Sequence, residues 1–444
     1  MFNRKIINYL LEWKDKKERK PLVIRGARQV GKTSAVLIFA EKYFKNVINL
    51  NLEKSEHLSL FREPVSIEDF EKIIQIKFHQ KIIPGKTLVF IDEIQNSPSL
   101  IKLLRFFYEE KPDIHVIAAG SLLQAKIERE GLSMPIGRIE YAYLYPLDFF
   151  EYLRAKGEIE LLNYLKDVSF EDHIPQGIHE IALKLFYEYT MVGGMPEIVK
   201  IFLERNDINY LRNIYSSLFT SYSEDVYKYS SLANSKYLTH VIEQSPLFAG
   251  TNITYERFGG SSFKSREMSR AFDILEKVML VYQVRKTNSK NLPLIEKRKR
   301  SKLLFLDVGL VNYQMGIQDS YLNLKDLNDF YRGRIAEQVV GQNILAQFMN
   351  SPPRIFYWAR KKPRGSAEID FCLNKKGYIL GVEVKSGKSG RLKSLFSFGD
   401  LVENNILIRI YSGELKKENI QYSGRNFSLF SLPFYLVPRI LEIF

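Results

Sequence analysis

The sequence predicts an α/β protein. A parallel sheet built around a phosphate-binding loop comes first, then a helical lid, a winged-helix-like middle and a second α/β domain at the C-terminus. Three observations carry this reading. Gly26-Ala27-Arg28-Gln29-Val30-Gly31-Lys32-Thr33 fits G-x-x-x-x-G-K-[ST] at every fixed position, between a strand-like run and a helix-like one. Thr87–Glu93 is an apolar run that ends in two acids. Asp370 and Glu383 lie 13 residues apart on two further strand-like runs, and Lys385 follows Glu383 at the same-face spacing.

Length and composition bound the rest. A chain of 444 residues suits about two to four domains. The pattern divides it into 1–150, 151–237, 238–320 and 325–444. Lys and Arg number 65 against 51 Asp and Glu, a formal charge of +14, which favours a polyanionic partner such as DNA. The alternative is a basic protein solubilised by its lysines. The one cysteine, Cys372, excludes an intrachain disulfide and fits a reducing cytoplasm. No apolar run reaches the ~18 residues of a membrane span, so no membrane is expected.

Residues 3–19 read as a charged amphipathic helix, and Pro21–Arg25 as a buried strand. In the loop, Gly26 to Gly31 let backbone N–H groups converge on a phosphate chain. Lys32 places a positive charge at the outer phosphates, and the Thr33 hydroxyl is a ligand for Mg2+. Ser34 opens a helix that runs to Tyr43 and turns its positive end to the same anion. ATP with Mg2+ is therefore the expected ligand pair. Val47–Leu52 reads as a second strand. At the carboxyl end of the strand over 87–93, Asp92 is placed to hold Mg2+ and Glu93 to orient and deprotonate the attacking water. The strand His115–Gly120 ends in Ser121, which either contacts the γ-phosphate or water, or caps the following helix. Pro135-Ile136-Gly137-Arg138 precedes a last strand over 139–144.

This order of elements resembles that of AAA+ ATPases. The resemblance implies that Arg138 is the finger that stabilises transition-state charge in a neighbouring subunit, and hence a homo-oligomer. From Pro146 to Tyr237 the pattern is helical and looks like a lid over the nucleotide, broken at Val192-Gly193-Gly194-Met195-Pro196-Glu197. Arg205 and Arg212 are candidates for a lid arginine. Residues 238–318 suggest a helix-turn-helix. Its two wing strands, over 281–284 and 303–306, flank a basic segment holding Lys297-Arg298-Lys299-Arg300. Such a segment suits a phosphate backbone; the alternatives are a solvated loop and a protein-contact module.

The C-terminal part reads helix, three strands, helix (391–402), strand. Two carboxylates at one sheet end, Asp370 and Glu383, with Glu337 from the helix, suit Mg2+ or Mn2+. Lys385 would position or deprotonate a water there. Element order and spacing resemble the PD-(D/E)XK nuclease superfamily, a restriction-endonuclease-like fold. That resemblance maps the catalytic site onto Glu337, Asp370, Glu383 and Lys385, with Gln338, Trp358 and Arg360 lining the pocket. A structural alternative is an ordinary salt-bridged hairpin, and the fold also occurs without catalysis. The whole chain resembles a group of prokaryotic ATPases that join an AAA-type domain to a C-terminal domain of unknown function with a restriction-endonuclease-like fold.

Overall fold

The computed structural model describes residues 2–318, 333–362, 365–387 and 392–444. Five parallel strands form the N-terminal sheet: β1 Leu22–Arg25, β2 Asn46–Asn51, β3 Thr87–Asp92, β4 His115–Gly120 and β5 Glu140–Tyr143, in the order β2-β3-β4-β1-β5. Parallel strands covered on both faces must be apolar at nearly every position, and the central β1, β3 and β4 are. Leu22, Ile24, Phe90 and Ile117 pack under the helices Ile6–Lys14 and Lys32–Tyr43. Val23, Val89, Ile91 and Val116 point the other way, under Ile67–Phe78 and Pro98–Glu110. The loop after β1, the acids after β3 and Ser121 after β4 therefore meet at one sheet edge.

The middle runs through the helices Gln176–Val192, Pro196–Arg205, Arg212–Tyr229 and Leu232–Phe248. Strand β6 Asn252–Ile253, a single 3-10 turn at Phe258–Gly260, the helix Ser265–Lys277 and the hairpin β7 Val281–Thr287, β8 Glu296–Phe305 follow. The hairpin is longer than the wing expected from sequence. The backbone of the basic stretch 297–300 lies in β8 rather than in a loop: Lys297 pairs with Lys286 of β7, and after a register shift Ser301 pairs with Arg285 of β7 and Ile253 of β6. The side chains of Arg298 and Lys299 lie outside the described residues.

The sheet to which the hairpin belongs runs past the expected boundary near 320–325, which itself falls outside the described residues. Strand β7 also pairs in parallel with β9 Phe356–Lys362. With β10 Gly365–Lys375, β11 Tyr378–Val384, β12 Asn405–Tyr411, β13 Lys416–Tyr422 and β14 Arg425–Pro433 it forms one nine-stranded mixed sheet, in the order β13-β14-β12-β11-β10-β9-β7-β8-β6. The helix Arg334–Leu345 packs on it, with Gly341 against Leu304 and Phe371. Of the helix expected over 391–402, residue 391 lies outside the described residues and Lys393–Leu401 is helical. No helix among the described residues is long and apolar enough to cross a membrane.

Candidate functional site

The phosphate loop is a tight backbone cradle. Gln29 and Gly31 take positive φ of 64° and 92°, which turns the chain back on itself. A Cβ on Gly26 would sit 2.5 Å from the Leu144 carbonyl oxygen, so only glycine lets the loop approach the end of β5. Lys32 is 6% exposed, and its Nζ donates to the Gly26 and Ala27 carbonyls at 3.0 and 2.9 Å. Burial lowers its pKa, and the charges of Glu93 and Asp92 oppose the shift. Ser34 and Ala35 continue the cleft floor along the first turn of Lys32–Tyr43.

Thr33 Oγ1 donates to Asp92 Oδ2 at 2.7 Å, joining the loop to the end of β3. Burial raises the Asp92 pKa, and the Thr33 hydrogen bond counters it. This pair of hard oxygens fits Mg2+, which keeps most of its waters and takes one or two protein ligands. Glu93 follows at φ 53°, accepting a hydrogen bond from the Gln95 side chain. Ser121 Oγ donates towards the Glu93 carboxylate at 3.4 Å. The helix Leu123–Arg129 has Leu122 at its N-cap and no side-chain cap hydrogen bond there.

The cleft over this loop has a volume of about 470 Å³. Sequence reasoning missed several of its walls. Arg4, 4% exposed, donates to the Val30 carbonyl at 2.8 Å, to the Tyr145 carbonyl at 2.7 Å and to Glu151 Oε1 at 2.9 Å. It thereby ties the loop backbone to the chain beyond β5. Phe2 lies beside it, and Pro196, Glu197 and Lys200 close the cleft from the lid. The only signals were the charged helix expected over 3–19 and the break at 192–197. Arg28 of the loop pairs with Asp225, a buried acid on Arg212–Tyr229. Neither lid candidate lines the cleft: Arg205 lies over the Tyr210 ring at 4.9 Å, and Arg212 begins its helix.

Arg138 is at the other end of the sheet. It precedes β5, whose Glu140 is level with Leu22 at the start of β1, whereas the phosphate loop follows Arg25. Its Nε meets Glu109 Oε1 at 2.6 Å and its guanidinium lies over Tyr108. It is outside the cleft of its own chain.

The C-terminal acids converge, with an unforeseen lysine among them. Lys302 of β8, 2% exposed, donates to Glu337 Oε2 and to Asp370 Oδ1, the latter at 2.8 Å. The other Asp370 oxygen accepts from Val384 N–H at 2.8 Å. Glu383 pairs with Lys385 through Oε1, and its buried Oε2 has no partner among the described residues. Burial first, then the charge of Asp370, raises the pKa of both Glu337 and Glu383. Among the described residues no three acids, histidines or cysteines are disposed to hold a metal ion. The oxygens that a divalent ion needs are engaged by lysine, so the arrangement as it stands does not fit Mg2+ or Mn2+. Nothing local in the sequence marks Lys302, one lysine in a basic run. Gln338 and Trp358, expected at a pocket, are structural. Gln338 bonds both the N–H and the carbonyl of Phe305, and Trp358 Nε1 donates to the Ser289 carbonyl.

Residues 18–153 match the AAA domain family. This part of the chain has the AAA-type P-loop ATPase fold. Residues 183–321 and 332–435 match two domains of unknown function, DUF8612 and DUF4143. Curated proteins give no match. Among solved structures, the Walker-type ATPase PABY2304 of Pyrococcus abyssi aligns at TM-score 0.45 and 16% identity over 71% of this chain and 96% of its own. The Thermotoga maritima RuvB Holliday junction branch migration motor aligns at 0.29 and 18% over 64% and 90%. The Aeropyrum pernix Orc1 protein in complex with DNA aligns at 0.26 and 12% over 72% and 92%.

Proposed function

We propose that the protein binds Mg-ATP at Gly26–Thr33 and hydrolyses it, using the turnover to act on or sense nucleic acid. The observation that carries this is the buried Lys32, held against a positive-φ loop with Thr33 and Asp92 hydrogen-bonded across the cleft. Loop N–H groups and Lys32 take the β- and γ-phosphates, in place of the loop carbonyls that Lys32 now meets. Mg2+ would be held by Thr33 and Asp92 and would neutralise charge on the phosphates. Glu93, fixed by Gln95 and Ser121, orients the attacking water and takes its proton. Arg138 serves the cleft of a second copy, since its own is at the opposite sheet edge. Lys32→Ala should abolish ATP turnover; unchanged hydrolysis would remove the proposal.

Nucleic acid is the partner class assigned to the winged-helix-like middle. Supporting it are the net charge of +14 and the exposed Lys264, Arg266 and Arg270 at the start of Ser265–Lys277. DNA binding that does not weaken with salt would count against it.

For the C-terminal part, the engagement of Glu337 and Asp370 by Lys302 favours a second reading. The PD-(D/E)XK-like unit acts there as a scaffold, and the protein as a nucleotide-switched interaction module. Incubation with DNA and Mn2+ beside Asp370→Ala decides this point. Cleavage that the variant loses would restore Asp370, Glu383 and Lys385 to a nuclease.

A further inference from the structure

We propose that the Lys302 ammonium is a resident counter-ion that takes the place of a divalent metal in the C-terminal carboxylate cluster, and that removing it uncovers a latent metal site. The proposal deepens the scaffold reading and rests on it, and it is independent of the ATP site. It concerns ion binding rather than cleavage, so the two are read by different experiments.

The argument is one of space and charge. A hard divalent ion bridging Asp370 and Glu337 would lie about 2.0–2.6 Å from each ligand oxygen. Those oxygens are Asp370 Oδ1 and Glu337 Oε2, and both receive the Lys302 ammonium, with Nζ 2.8 Å from Asp370 Oδ1. An ion bound to both would overlap Nζ or face its charge at contact distance. The second oxygen of Asp370 is held by Val384 N–H, so rotating that carboxylate frees no oxygen for the ion. Glu368 adds a further acid 4.0 Å from Nζ.

Lys302 is also unable to step aside easily. Its residue sits in the centre strand of three, level with Val284 of β7 and Asn252 of β6. Its side chain is 2% exposed, and Nζ lies 5.6 Å from the centre of the Phe371 ring. Swinging the ammonium to solvent would leave Glu337 and Asp370 in a buried cluster without their cation, a costly change. The lysine thus joins the hairpin to the helix Arg334–Leu345 and to β10. With the ammonium gone, Asp370 Oδ1 and Glu337 Oε2, the two oxygens it now bridges, would be left to an incoming hard ion.

The test is titration of the nucleotide-free full chain with Mn2+, reading free Mn2+ by electron paramagnetic resonance. Wild type and Asp370→Asn should bind alike. Lys302→Met should gain one Mn2+ per chain, and Lys302→Met/Asp370→Asn should lose it again. A wild-type Mn2+ site that Asp370→Asn removes would overturn the proposal. So would a Lys302→Met protein with a native circular dichroism spectrum and no added site. If Lys302→Met does not fold, the comparison of wild type with Asp370→Asn decides alone.

Discussion

Asp307 offers a sharp test of how the lid is held. Its fully buried carboxylate accepts four hydrogen bonds. Oδ1 takes the N–H groups of Gly309 and Leu310 at 2.9 and 3.3 Å, and Oδ2 takes Gly194 N–H at 2.6 Å and Gln342 Nε2 at 3.0 Å. One side chain thus caps the helix Val308–Gln314 and grips the Gly193-Gly194 break that leads to Pro196 at the cleft. Asp307→Ala removes a cap worth about 1 kcal/mol and leaves two further buried donors unpaired, each costing about 1 kcal/mol or more. The loss at pH 7 should be about 3 kcal/mol, and ATP affinity should fall with it. The pH dependence adds a second signature. Burial raises the carboxyl to about 6, against an ordinary 3.8. Between those values the folded state binds more protons than the unfolded, so wild type gains stability as pH falls from about 6 towards 4. The alanine variant lacks that gain, which is at most roughly 3 kcal/mol for a shift of this size. Urea denaturation followed by circular dichroism at pH 7 and pH 5 checks both. A loss below about 1 kcal/mol at pH 7, or a difference between the two proteins that does not grow on acidification, would refute the reasoning.

Three further outcomes are expected. Glu93→Gln should keep ATP binding and lower turnover by about a hundredfold or more, measured by phosphate release beside calorimetry. Arg138→Ala should leave ATP affinity unchanged and lower turnover. Adding a Lys32→Ala protein, whose own Arg138 is intact, should partly restore it; no rescue in mixtures argues against a role between subunits. His115 donates from Nε2 to the Lys14 carbonyl between the rings of Trp13 and Phe44, and burial lowers its pKa to about 4. Because the unfolded state binds the proton first, stability should fall as pH drops from about 6.5 towards 4, by at most roughly 3 kcal/mol. His115→Phe should flatten that slope in thermal melts.

What was legible in the sequence followed local rules. The apolar runs at 22–25, 87–92 and 115–120 could only be covered strands, and β-strand ends collect loop and acids at one edge. Gly26–Thr33, Asp92 and Glu93 therefore came together as their positions implied. What was hidden depends on contacts across long stretches of chain. Arg4 reaches Val30 and Tyr145, and Lys302 reaches Asp370, through folding alone, and no spacing rule links those positions. The wing was misjudged for a similar reason. Basic residues at 297–300 lower strand expectation, yet the stretch is held in the ladder at both ends, by Lys286 opposite Lys297 and Arg285 opposite Ser301. The lid arginines were chosen by residue type, whereas the cleft wall is set by which end of Pro196–Arg205 faces it.

The pairing of β7 with β8 on one edge and β9 on the other has a mechanical result. Backbone ladders on both sides mean that the basic hairpin cannot pivot against the strands bearing Asp370 and Glu383 without breaking hydrogen bonds in series. Any displacement of one surface must carry the other through a single arc, like the two arms of one lever.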